Sequence, residues 1–371
     1  MSNYIVSGYS SIGKSHENEG IKCQDNCYFG SKDNIIVAAV GDGVSSSKHS
    51  DIASRIAVKL ITWYCLEKIR KFDSPNKIIN ILREGFKRAL YKIKQISNNV
   101  PNDYHTTLTV AVIINEILYF GQIGDSGIIA LCGDGNFVRV TAEQNAEGIG
   151  KDRPVYPLAE VSKWCFGRYN HKIKAAFLAT DGVLKKIQPS LLGGQKYNLN
   201  HNYLCYVFNK LYSACDEKSA QQFVQDEVEN MLPEEVDFDD KTLAVVINKN
   251  AVFKPQSKDY YQFPSNELWM HLLKEYEEKL YPYKRNEEKK SIEKKIVIKE
   301  DLANNSSLNR SEVELINDTR NRPIRQKNDS EVKEKILKKK LMANIILPLC
   351  LCIIVEALLI ALLIIWRFPV F

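Results

Sequence analysis

Four aspartates fall at the ends of apolar runs: Asp42 in Val40-Gly41-Asp42-Gly43, Asp125 in Gly124-Asp125-Ser126, Asp181 in Leu178-Ala179-Thr180-Asp181-Gly182, and Asp239 in Asp239-Asp240-Lys241-Thr242. Glycine adjoins three of them and a second aspartate adjoins the fourth. A single Asp-Gly step is ordinarily a turn. Four carboxylates at strand ends are a different matter, because the strands of one sheet can bring their ends together. Converging like charges repel, so such a cluster calls for a cation. An all-oxygen donor set suits Mg2+ or Mn2+ rather than zinc. The six histidines include no HExxH spacing. Two ions about 3.5–4 Å apart can activate water and clamp a phosphoryl group for in-line attack. Spacing alone therefore implies a metal-assisted hydrolase, with phosphoryl chemistry as one candidate.

Each aspartate needs a strand to carry it. The apolar run 34–40, stopped by Gly41-Asp42-Gly43, predicts a buried strand feeding a loop. Ser50 or Asp51 can then cap a helix with Ile52, Ile56, Leu60 and Tyr64 on one face. Ser74-Pro75 opens a second helix, striped by Ile78, Leu82, Phe86, Leu90 and Ile93. Strands are expected over 108–114 and 117–122, joined by a tight turn at Asn115-Glu116. Further strands are expected over 127–131, 137–140, 174–179 and 242–247. A helix from Asp216 to Met231 turns Ala220, Phe223, Val224 and Val228 inward. Hairpins outnumber βαβ units, which predicts antiparallel sheets flanked by helices.

The 371 residues, 44% hydrophobic, can bury a full core. Nine cysteines, odd in number and without a CxxC pair, suggest neither a zinc nor a disulfide framework and fit a reducing compartment. The net charge of +6 gathers toward the last third, ahead of an apolar run. That position reads as a juxtamembrane collar, with no nucleic-acid partner. Residues 341–366 are almost wholly apolar and long enough to cross the roughly 30 Å hydrocarbon core as a transmembrane helix. Lys333, Lys335, Lys338, Lys339 and Lys340 precede it and only Arg367 follows, which predicts that everything upstream faces the cytoplasm. The N-terminus has no long apolar segment, so no secretory signal is expected. Glu356, inside the span, is either a helix–helix contact or a group bonded within its own helix. The expected organisation is a catalytic domain over 1–250 and a charged, partly helical or disordered tether over 251–340. The membrane helix over 341–366 and a short tail over 367–371 complete it. Within the tether, 267–280 predicts one amphipathic helix, and the Lys-, Glu- and Asn-rich stretch after Pro282 buries too little to fold alone.

Taken together, the motifs resemble the protein phosphatase 2C family, the metal-dependent serine/threonine phosphatases, and its bacterial-type branch in particular. The resemblance runs roughly from Ile5 to Ile247. Ser15-His16 with Cys23-Gln24-Asp25 joins the four aspartate motifs in family order. It implies an α+β fold, a central antiparallel β-sandwich flanked by α-helices, with two or more Mn2+ or Mg2+ ions in a cleft at one end. By motif, Asp42 bridges two ions and Gly43 lends its carbonyl. Asp181 and Asp239 bind the first ion, Asp25 holds water on the second, and Asp125 helps form a looser third site. Thr106-Thr107 match a structural step of the family. The resemblance implies hydrolysis of phosphoserine and phosphothreonine proteins, with a serine/threonine kinase as the opposing partner and the lipid bilayer as the support.

Two departures stand out. Gly20 occupies a position where the family often has a phosphate-gripping arginine, and Lys14, His16 and Lys22 are the nearby replacements. Val44 stands where many relatives have a general-acid histidine. His49 is the candidate catalytic substitute beside Asp42 and Asp181, its other reading being a surface residue at a helix entry. A phosphoprotein-binding module with weak or no turnover, or a hydrolase of small phosphate esters, stays open beside the active phosphatase.

Overall fold

Alternate residues of single strands enter different apolar clusters, and this sets the layers. In β3 (Ile35–Gly41), Ile35, Val37 and Ala39 join one cluster while Ile36, Ala38 and Val40 join another. The strand labelled β4 here (Leu108–Ile114) divides in the same way, Val110 and Val112 outward, Ala111 and Ile113 inward. β6 (Gly127–Cys132) and β9 (Lys241–Asn248) share the inner cluster through Ile128, Ala130, Ala244 and Val246. Their alternate residues Ile129, Leu131, Leu243 and Val245 enter a third cluster. Two sheets thus face each other across one apolar layer, and helices cover each outer face. Strands buried on both sides read as unbroken apolar runs rather than as polar–apolar alternation.

The structure, a computed structural model, describes residues 4–98, 100–144, 155–231 and 239–280. Its remaining strands are β1 (Tyr4–Ser11), β2 (Asn26–Lys32), β5 (Ile117–Ile123), β7 (Phe137–Arg139) and β8 (Cys165–Ala179). Strand order is β1-β9-β8-β5-β4-β3-β2, with β6 beside β8 and β7 beside β6. All of these pairs are antiparallel. β8 serves both sheets: Arg168 pairs with Tyr119 of β5, while Phe177 lies between Ile129 of β6 and Val245 of β9. Only the second half of β8 is foreseen by its apolar run. The first half carries exposed Arg168, Asn170 and His171, and its strand state comes from pairing rather than burial.

Over the β3–β4 sheet lie α2 (Ser50–Lys68) and α3 (Pro75–Ile96). α3 matches expectation: Ser74 accepts a hydrogen bond from the Lys77 N–H at 3.3 Å, and Ile78, Leu82, Phe86, Leu90 and Ile93 are buried. α2 corrects it. His49 precedes the helix without a side-chain cap bond, and the buried line is Ala53, Ala57, Ile61 and Cys65. Ile52, Ile56, Leu60 and Tyr64 are half-buried at its flank. Small residues at the centre let α2 approach the sheet closely, which a search for large apolar side chains overlooks. Phe86 is fully buried, with the Trp164 and Phe166 rings 5.4 and 5.0 Å away. Phe86→Ala is expected to cost about 3–5 kcal/mol, read as a lower urea midpoint with an unchanged denaturant slope.

The other sheet carries α4 (Asp181–Ile187), α5 (His201–Tyr212) and α6 (Glu217–Glu229). α6 begins with a capping box in which the Asp216 carboxylate accepts from the Ser219 N–H at 2.7 Å. α5 has no counterpart among the expected helices. The turn at Asn115-Glu116 has φ of 50° and 70°, the mirror-image geometry that two-residue hairpins favour.

Packing continues past residue 250 through α7 (Lys258–Tyr261) and α8 (Asn266–Leu280). The Phe137 N–H donates to the Tyr260 hydroxyl at 2.7 Å, and the Asn202 N–H donates to the Phe263 carbonyl at 2.8 Å. The first of the chain's two units is compact and spans Met1–Tyr281, and the second is Pro282–Phe371. The second unit, holding most of the expected tether, the 341–366 span and the tail, lies outside the described residues. Among the described residues no helix is long and apolar enough to cross a membrane.

Candidate active site

Asp42 follows the last residue of β3, and a pair of threonines fixes its backbone. Its N–H donates to Thr107 Oγ1 at 2.9 Å, and its carbonyl accepts from Thr106 Oγ1 at 2.9 Å and from the Thr107 N–H at 2.8 Å. Gly43 then bridges to Thr106, and a Cβ on Gly43 would lie 2.7 Å from the Gln24 carbonyl oxygen. That close approach brings in Asp25, at the entry to β2. Asp25 is buried, and its Oδ2 accepts from Thr180 Oγ1 at 2.7 Å and from Thr242 Oγ1 at 2.9 Å. Thr180 precedes α4, so the same contact places Asp181 at the first position of that helix.

Asp240 locks the arrangement. Its Oδ1 accepts from the Gly13 N–H at 2.7 Å and its Oδ2 from the Gln24 N–H at 2.6 Å. His16 Nδ1 stands 3.0 Å from Asp240 Oδ1 but is not aligned for a hydrogen bond. A Cβ on Gly13 would clash with the Asp239 carbonyl, and one on Gly182 with the Asp240 carbonyl oxygen. Both glycines are there for close approach, and they press Asp239 and Asp181 toward one another. Gly182→Ala is expected to destabilise by about 1–3 kcal/mol through overpacking. It should also lower turnover of a phosphothreonine peptide, so full stability and activity in the variant would contradict this packing.

The carboxylates act on one another as a single field. Burial first, then the charges of Asp25, Asp181, Asp125 and Asp239, hold the Asp42 carboxyl well above the usual carboxylate range. Asp25 is raised by burial, with Asp240 and Asp181 adding to it and the Thr180 and Thr242 hydrogen bonds opposing it. Burial and Asp181 push Asp125 up to about 7. Asp239 is raised by burial and then by Asp181. The charge of Asp181 therefore reaches all four. Lys185 Nζ, 3.2 Å from Asp181 Oδ2, partly offsets the negative charge at Asp125 and Asp239.

Among the described residues, no three His, Cys, Asp or Glu side chains already stand close enough around one point to hold an ion. The cluster still fits a hard divalent cation. Its donors are all oxygen, Asp125 Oδ1 is buried with no hydrogen-bond partner, and the mutual repulsion is of the kind a positive ion relieves. A cation would have to draw the carboxylates inward by side-chain adjustment.

The other sequence candidates have contacts of their own. His49 meets the Tyr104 ring at 5.0 Å, and its N–H donates to the Asp103 carbonyl at 2.7 Å. Lys14 pairs with Glu17 at 2.5 Å, and Lys22 is exposed. Gly20 has φ 69° and closes α1 (Lys14–Glu19), with open space where a Cβ would go. A left-handed helix end is a backbone reason for glycine at that position. Asp240, Thr180, Thr242 and Gly13 went unrecognised as positioning residues. Their motif neighbours were visible, but their hydrogen bonds join segments more than 150 residues apart.

The protein phosphatase 2C family model matches residues 12–232. The match covers more than half of the chain, and the chain belongs to the protein phosphatase 2C family, whose members are serine/threonine protein phosphatases and thus hydrolases. The family is generally Mn2+- or Mg2+-dependent. A search of curated proteins returned no match. Among solved structures the chain is similar to a bacterial serine phosphatase, at 12% identity and a TM-score of 0.45 over 66% of this chain and 97% of that one. It is also similar to the serine/threonine phosphatase Stp1 from Staphylococcus aureus, at 14% identity and a TM-score of 0.45 over 65% and 94%. The Mycobacterium tuberculosis serine/threonine phosphatase PstP/Ppp gives 12% identity and a TM-score of 0.45 over 67% and 99%. The family match ends before Asp239, so that residue's membership of the site rests on its contacts with Gly13 and its exposure to the Asp181 charge.

Proposed function

We propose that the chain is a metal-dependent phosphatase of phosphoserine and phosphothreonine proteins, anchored by residues 341–366 with its catalytic domain on the cytoplasmic side. The observation that supports it best is the convergence of Asp25, Asp42, Asp125, Asp181 and Asp239 on one electrostatic field at one end of the sandwich. These five, with the Gly43 carbonyl, are the groups that would hold two or more Mn2+ or Mg2+ ions. When bound, such ions activate water and polarise the phosphoryl oxygens. The protein supplies the positioning. Thr106 and Thr107 fix the Asp42 backbone, Thr180 and Thr242 orient the Asp25 carboxylate, and Asp240 ties the Gly13 and Gln24 segments together. The left-handed backbone at Gly20 leaves substrate phosphate without an arginine fork there, so its grip falls to the site's remaining groups. The lysine-rich flank before residue 341 supports the orientation, and a serine/threonine kinase is the natural opposing activity.

The test is phosphothreonine-peptide hydrolysis by the full chain in lipid nanodiscs with Mn2+, Mg2+ or chelator. Ending the chain at residue 250 would remove Tyr260 from the core, so the whole chain is the proper sample. Turnover that requires metal supports the reading. A folded, metal-loaded chain that binds phosphopeptide without turnover overturns the enzymatic part, and a chain released from membranes by salt overturns the anchor.

A further inference from the structure

The α2–α3 layer carries a surface that the phosphatase reaction does not use. Residues 50–98 hold eleven Lys and Arg against four Asp and Glu, an excess larger than the +6 of the whole chain. The excess faces outward, because the opposite sides of both helices are buried against the β3–β4 sheet. On α2 the exposed positions Arg55, Lys59, Trp63 and Glu67 recur every fourth residue. Along α3, exposed Arg83, Lys87, Tyr91 and Lys94 form a second stripe at helical spacing.

Large aromatic side chains stand among these charges. Trp63 is 63% exposed, Tyr91 65%, and Phe72, at the turn between the helices, 90%. Three of the four acids on this layer are already engaged: Glu67 with Lys68, Asp73 with Lys77, and Glu84 with Lys87 and Arg88. Among the described residues, no acid forms an ion pair with Arg55, Lys92 or Lys94. Trp63 also donates its indole N–H to the Tyr28 hydroxyl at 3.1 Å, which holds its ring at the β2 side of this layer. Tryptophan and tyrosine settle at the headgroup level of a bilayer, and lysine and arginine attract anionic lipid.

We propose that the outer face of α2–α3 docks on an anionic membrane surface, its aromatic side chains entering the headgroup region and its basic residues pairing with lipid phosphates and carboxylates. Docking here involves residues 50–98 and does not depend on the anchoring reading. The catalytic carboxylates lie at strand ends, whereas α2 and α3 cover a sheet face, so docking through the helices does not cover the carboxylates.

Hydroxyl-radical footprinting of the full chain in nanodiscs tests this residue by residue. Discs of phosphatidylcholine alone are compared with discs that also contain phosphatidylserine, with Met270 and Tyr276 on α8 as exposed references. Oxidation of Trp63, Phe72 and Tyr91 is expected to fall about fivefold in the anionic discs, roughly the occupancy change one basic residue near the surface confers. Molar salt is expected to reverse it. Combined Lys87→Glu, Lys92→Glu and Lys94→Glu should abolish the protection. The glutamine versions should weaken it, and unchanged hydrolysis of a soluble phosphopeptide shows that each variant is folded. Equal oxidation in both discs overturns the proposal, as does protection that survives charge reversal. Protection produced in neutral discs by added RNA or acidic protein, and absent with phosphatidylserine, also overturns it.

Discussion

Asp181→Asn is expected to lower phosphopeptide turnover by at least about 10²-fold, the scale that misplacing reacting groups commonly produces, while making the metal-free chain more stable. The two effects have one origin. Asp181 adds its charge to those of Asp25, Asp42, Asp125 and Asp239, where burial is already the largest cause of the raised carboxyls. Removing one negative charge relieves repulsion that nothing inside the protein fully offsets. The variant does lose the ion pair with Lys185, but that lysine is 43% exposed and such a pair contributes little, about 0–1 kcal/mol. Relief of about 1 kcal/mol corresponds to roughly 2–4 °C in melting temperature for a domain of this size. Thermal melts in chelator and in Mn2+, beside initial rates, measure both. A variant that keeps its turnover, or melts lower than the parent in chelator, would show that Asp181 is not part of the charged site.

The second large effect is on pH dependence. A carboxyl whose folded pKa lies above its unfolded value binds protons more tightly when folded. Its contribution to stability is therefore fullest at low pH and fades as pH rises through the unfolded and then the folded value. For Asp125 that window runs from the ordinary carboxylate range up to about 7, and Asp25, Asp42 and Asp239 shift in the same direction. Each unit of upward shift is worth about 1.4 kcal/mol. His201 works the other way: burial pulls it down to about 4, so it adds stability over part of the same rise. The carboxylate share is thus read as the difference between the parent and Asp125→Asn in chelator. The parent should fall behind the variant progressively from about pH 4 to about pH 7. Mn2+ at about a hundred times its dissociation constant should return roughly 2.7 kcal/mol, and more at neutral than at acid pH, because ligation needs ionised carboxylates. Parallel stability curves for parent and variant would leave the raised Asp125 without support.

The parts of the fold that follow from local chemistry were readable in the residues. Ser74-Pro75 caps α3 because serine accepts the free N–H and proline suits the first turn, and Asn115-Glu116 turns because asparagine tolerates positive φ. The inward face of α2 was not readable, since Ala53 and Ala57 carry little hydrophobic signal and derive their place from how closely two layers approach. The first half of β8 was hidden for a related reason: exposed Arg168 and His171 do not announce a strand whose partner, β5, lies some fifty residues away. In the site, glycine and apolar flanks marked Asp42, Asp125 and Asp181 as strand-end acids. Nothing local separates Asp239 from Asp240, and only the Gly13 and Gln24 amides show that Asp240 is the lock.

The pairing of β1 with β9 joins Tyr4 to Asn248 and Ser11 to Lys241. During synthesis this has a direct consequence. β1 leaves the ribosome long before β9 and must wait for it before this pairing can form. Thr242, which orients Asp25, and Asp240, which secures Gly13, arrive with that same strand. Contacts so distant along the chain close slowly. A nascent chain that stops short of β9 therefore holds no finished active site, and phosphatase activity begins only once the whole domain has been made.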